Sequence, residues 1–173
     1  MNASKSRLSG ATAKWVLPLV AGFIAVVLLT AVYRRLHPQY PKSVLAVSSD
    51  MGMPPWQWLD AQSASQRASM GTFTAVDWQL MRTMWASNNN YQKTYSLSVM
   101  AQLYKTEFRS EAINCARSGA SNPDPHVRAM SIGALAHLGD ATWRDLATQS
   151  LNSQDSSLRE SARTLLDKNQ RSK

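Results

Sequence analysis

The stretch that decides the fold runs from residue 124 to residue 166 and reads DPHVRAMSIGALAHLGDATWRDLATQSLNSQDSSLRESARTLL. Its apolar residues recur at helical spacing. Val127, Met130, Ala134, Leu135 and Leu138 form one stripe, Trp143, Leu146, Ala147 and Leu151 a second, and Leu158, Ala162, Leu165 and Leu166 a third. The breaks between them have a chemistry of their own. Asp124 offers a side-chain acceptor just ahead of Pro125, a residue with no N–H to satisfy, so a helix begins there. Gly139 follows Leu138 and can take the left-handed conformation that ends a helix, Asp140 can cap the next one, and Asp155 the last. Each connection is only a few residues long, so successive helices pack antiparallel.

The stretch also repeats itself. Asp124, Val127 and Arg128 recur as Asp155, Leu158 and Arg159 at an offset of 31 residues, and the same offset carries Ala134-Leu135 onto Leu165-Leu166. An Asp ahead of an apolar-Arg pair, small residues after it and a Leu-Gly-Asp turn resemble HEAT repeats of the short, phycobilin-lyase-like type. The resemblance implies a short α-solenoid of antiparallel helix pairs, each burying its apolar face against the next. It implies in Asp124, Arg128, Asp155 and Arg159 a structural ladder of caps and inter-repeat ion pairs along one edge. It also admits an enzyme of the lyase or hydroxylase kind, although such enzymes carry more repeats. Moving upstream by 31 places Lys93 opposite Asp124 and Leu97 opposite Arg128, so the signature is lost there.

Farther upstream the period stays helical. Phe73, Val76, Leu80, Met81, Met84 and Trp85 trace one face, and Tyr95–Tyr104 is apolar on most sides, as a central helix would be. No segment alternates at a period of two. Residues 56–173 are therefore expected to be all-α, with the clearest repeats over 124–166. Residues 34–55 carry Pro38, Pro41, Pro54 and Pro55 with Gly52 and are expected to form an extended linker, in which Ser43–Ser48 has some strand character.

Residues 15–33, WVLPLVAGFIAVVLLTAVY, contain no charge. As a helix they would span about 28 Å, close to the hydrocarbon thickness of a bilayer. Trp15 and Tyr33 stand at the two ends, where amphipathic rings favour the headgroups, and Arg34 and Arg35 close the segment. A cleaved signal would have a shorter apolar core and a small-residue site just after it, whereas Tyr33 is followed by Arg-Arg-Leu-His-Pro. We therefore expect a basic tail over 1–14 and a single transmembrane helix over 15–33. The flanking charges favour the N-terminus inside and the domain outside by a small margin.

The net charge of +8 belongs to this anchor. Residues 1–42 hold six Lys or Arg and no acid, leaving 13 basic against 11 acidic residues beyond, a net of +2. Nucleic acid is therefore not an expected partner. Cys115 is the lone cysteine, and His37, His126 and His137 lack metal-ligand spacing, so neither metal nor cofactor is expected. Glu107 and Glu111 flank Arg109 as a solvated face would. The cluster with most functional promise is Trp56, Trp58, Trp78 and Trp85, a candidate partner patch at the start of the domain. The expected protein is a non-catalytic scaffold of this form, bound to the bilayer and docking another protein, such as a subunit of a membrane complex. A passive spacer is the plainer alternative.

Overall fold

The computed structural model describes residues 40–170. Eight helices fill them: α1 (Lys42–Asp50), α2 (Pro55–Met70), α3 (Ala75–Ala86), α4 (Asn90–Met100), α5 (Arg109–Gly119), α6 (Pro125–Leu138), α7 (Trp143–Ser150) and α8 (Ser156–Gln170). There is no strand among the described residues, and the fold there is all-α. No helix among them is long and apolar enough to cross a membrane. The expected tail and anchor, with Trp15, Tyr33, Arg34 and Arg35, lie outside the described residues.

The packed body starts earlier than the prolines suggest. Lys42–Asp50, expected to be extended, is a helix, and the compact unit begins at Lys42. Pro38 and Pro41 precede this helix, Pro54 and Pro55 follow it, and the window between them is free of proline. Val44, Val47, Ser48 and Met51 share one face and bury it against the core. Gly52, at φ 61°, closes α1 in the left-handed conformation, with the Met53 N–H donating to the Ser48 carbonyl. Pro55 then occupies the first turn of α2, where its missing N–H costs nothing. The prolines punctuate two helices.

The even-numbered helices α2, α4, α6 and α8 lie side by side in chain order, and α3, α5 and α7 each pack on the even helix that follows. α1 covers α2. This arrangement is compatible with a helical repeat. The core has two parts, one built on Trp58, Met81, Met84 and Met100, the other on Leu97, Val127, Leu135 and Ala147. Trp85 and Ile113 pack against both and join them. The expected central helix ends at Met100 rather than Tyr104. Leu97, Val99, Met100 and Leu103 are sealed, whereas Tyr104 is half exposed on the turn that follows.

At one point two helices approach closely. α5 ends on Gly119, whose missing side chain makes room for Ser131 and Trp85. A Cβ there would lie 2.1 Å from Ser131 Oγ and 2.8 Å from the Trp85 ring. Ser131 is fully buried and donates to the Val127 carbonyl at 2.8 Å, so it cannot swing away. We expect Gly119→Ala to cost about 1–3 kcal/mol by overpacking, read as a Tm lower by several degrees in thermal unfolding of the full chain. Unchanged stability would mean that α5 and α6 do not meet this closely.

Candidate functional site

Repetition in the sequence returns as repetition in hydrogen bonds. Ahead of α6, Asp124 Oδ1 accepts from the N–H groups of His126 and Val127 at 2.8 and 3.0 Å. Arg128 Nη1 reaches back to the carbonyls of Asn122 and Pro123 at 2.8 and 2.9 Å. Ahead of α8, Asp155 Oδ1 accepts from the Leu158 N–H at 2.8 Å, and Arg159 Nη1 reaches the carbonyls of Ser153 and Gln154 at 2.7 and 2.8 Å. Three of the four contacts recur at an offset of 31 residues, and the His126 N–H bond belongs to the first loop. Asp124 and Asp155 thus cap the helices that follow them, and the two ladder arginines bind loop carbonyls. Ion pairs tie Arg67 to Asp77 and Arg117 to Asp140.

A third copy sits where the 31-residue offset does not look. Asn89 Oδ1 accepts from the N–H groups of Tyr91 and Gln92 ahead of α4, and Ser87 Oγ accepts from the Asn89 N–H as Ser153 Oγ does from Asp155. Asn89 is therefore the counterpart of Asp124, 35 residues upstream. Lys93, four residues on, stands at the arginine position and lies 5.5 Å over the Trp85 ring.

The tryptophan cluster does not form one surface. Trp58 and Trp78 are in the core, at 7% and 5% exposure, and Trp85 is half-buried. Trp58 meets Tyr95 edge-on at 4.8 Å, linking α2 to α4. Trp78 stacks on Phe108 at 5.6 Å, and its indole N–H donates to Glu111 at 3.0 Å, linking α3 to α5. Only Trp56 of the four points outward, at 56% exposure. Leu45 and Leu59 are exposed with it on the α1–α2 pair. Spacing alone carried part of this answer, because residues two apart on a helix cannot share a face.

An open groove of ≈ 940 Å³ runs across the C-terminal ends of α2, α4 and α6. Its walls come from Ala68, Ala101 and Met70, and its polar groups include Ser98, Gln102, Lys105 and His137. Tyr104 stands at the rim with Lys105 Nζ 5.2 Å above its ring. No carboxylate lines it. Gly71, at φ 73°, ends α2 and shapes the floor. The sequence holds no signal for this site, since it is assembled from helix ends some 30 residues apart.

The perturbed ionisable groups have structural tasks. Hydrogen bonds from Arg67 hold the Asp77 carboxyl below the ordinary carboxylate range, against the opposing pull of burial, and the Thr74 N–H and hydroxyl add to the effect. Asp77 thereby completes a capping box at the start of α3 and ties it to α2. Burial raises Asp140, but Thr142 and Arg117 outweigh it and leave that carboxyl low as well. Asp140 thus binds the loop residue Thr142 instead of capping α7 from its first turn. Arg109 donates two hydrogen bonds to the Leu138 carbonyl at 2.9 and 2.8 Å, closing α6. Burial pushes the half-buried Cys115 thiol up, so it is a poor nucleophile. His126 and His137 are exposed. No group of three or more His, Cys, Asp or Glu is placed to hold a metal among the described residues.

Comparison with protein families, with curated proteins and with solved structures finds no match.

Two measurements check this assignment. Trp58→Ala is expected to destabilise the fold by about 3–5 kcal/mol, as large-to-small core changes do, while Trp56→Ala leaves Tm and helicity nearly unchanged. Equal losses from both would place Trp56 in the core. Asp77 and Asp140 bind protons in the folded chain only at lower pH than in the unfolded one. Their stabilisation is complete above the ordinary carboxylate pKa and is lost as pH falls through that range towards their depressed folded values. Asp77→Asn is expected to lower stability at neutral pH and to flatten its acid dependence, read by denaturant titration across acidic pH. An unchanged slope would remove Asp77 from the pair.

Proposed function

We propose that this chain is a non-catalytic, single-pass membrane protein whose HEAT-like helical-repeat domain docks a segment of another protein, as an accessory or assembly subunit of a membrane complex would. One observation carries the docking part: the open groove at the ends of α2, α4 and α6, apolar on its walls, with Tyr104 at the rim and Lys105 and His137 unaccompanied by any carboxylate. A groove of this kind suits an extended polypeptide carrying an acidic side chain. The matched loops at Asp124 and Asp155, together with the sequence resemblance at 124–166, support the HEAT-like reading of the stack. The uncharged stretch 15–33, with its aromatic ends and Arg34-Arg35, supports the anchor. The proposed orientation has the N-terminus inside and the domain outside.

A photoreactive phenylalanine analogue placed at Tyr104 in the full chain, in native membranes, is expected to trap one discrete adduct. The same analogue at the exposed Thr148 on α7 traps none. Lys105→Glu is expected to abolish the Tyr104 adduct without altering thermal stability. Equal labelling from both sites, or an adduct indifferent to Lys105→Glu, would overturn the docking assignment.

A further inference from the structure

We propose that the outer face of the α1–α2 pair is a lipid-binding surface: Leu45, Trp56 and Leu59 sit in the headgroup region of the bilayer that holds the anchor. This rests on the membrane-anchor part of the proposed function.

The core has no use for these side chains. α2 turns Trp58, Ala61, Ala64 and Ala68 inward, and α1 turns Val44, Val47 and Ser48 inward. On the outside, Trp56 and Leu59 stand one turn apart at 56% and 37% exposure, and Leu45, on the α1 helix that packs on α2, is at 46%. An indole beside two leucines combines an apolar body with a polar edge, the combination that favours the interface between lipid and water.

The chain outside the described residues says which surface is near. Only eight residues, 34–41, separate the uncharged stretch ending at Tyr33 from the first residue of α1. Even fully extended they reach about 27 Å. On the anchor reading, a tether this short keeps lipid at a high effective concentration for the helix pair it leads into. Arg34, Arg35 and Lys42 along this connection offset Asp50 and Asp60 on the pair itself and favour anionic headgroups. A second copy of the chain would have to compete with a surface that is always present.

The test uses the full chain with Cys115→Ser, reconstituted at low density into vesicles of phosphatidylcholine and phosphatidylglycerol. A nitroxide is attached through Trp56→Cys, through Leu59→Cys, or through Thr148→Cys as the distant control. Labels at 56 and 59 are expected to be several-fold more accessible to oxygen, and less accessible to a water-soluble nickel chelate, than the label at 148. Floating vesicles carrying the chain with all three labels equally exposed would overturn this proposal and leave the anchor standing. Failure of the chain to float with the vesicles would overturn the anchor and this proposal together. Shielding that rises with protein density would identify a second copy as the occupant and overturn the lipid assignment alone.

Discussion

A helix brought into a stack must arrive with its first N–H groups satisfied and its angle of approach fixed, and in this domain one short loop meets both demands. A carboxylate takes the leading N–H groups of the helix, and a guanidinium four residues later folds back onto two carbonyls of the loop that precedes it. Cap and loop are thus locked to the same first turn. Arginine suits the second task because one Nη1 donates to two carbonyls and its planar head is pre-organised for such contacts. Where Lys93 replaces it, the ammonium leaves the loop and lies over Trp85 instead. The loop fixes the helix direction locally, and the row of even-numbered helices is in keeping with the copies.

The other ends are tied across the layers by longer reach. Arg109 crosses from α5 to the last carbonyl of α6, Arg117 crosses from α5 to Asp140, and Arg67 crosses from α2 to Asp77. Two turns are held this way, the α2–α3 turn by Arg67 and the α6–α7 turn by the two arginines of α5. Most of the domain's buried charge is therefore committed to holding turns, and so are the tryptophans: Trp58, Trp78 and Trp85 each bridge one pair of helices to the next. Among the described residues, the large apolar side chains left exposed are Leu45, Trp56, Leu59, Met70, Val76, Tyr91, Tyr104 and Met130.

The legibility of these features in the sequence follows the range of the interactions behind them. The caps at Asp124 and Asp155, the glycine stop at Gly139 and the stripes of α6, α7 and α8 are local, so spacing reports them. The copy at Asn89 is equally local but is displaced by four residues, because α4 and α5 are joined by a longer turn than the later helices; a fixed offset of 31 steps past it. α1 was obscured by counting prolines rather than locating them. The groove draws on three separate helices and each arginine tie joins two distant segments, and no one-dimensional pattern encodes those meetings.

On the proposed placement, the geometry of α2 also constrains the kind of partner the groove can meet. Trp56 and Met70 are fourteen residues apart, which at about 100° per residue returns to within about 40° of the same side of the helix, some 21 Å farther along it. Met70 is 67% exposed and lines the groove. If Trp56 is held in the headgroups, the groove lies within about 21 Å of them, because one helix carries both. A membrane protein presents its juxtamembrane segments there already, at the right height and confined to the same plane. The groove's Lys105, with no carboxylate among the residues lining the groove, then faces whatever acidic residue such a segment carries.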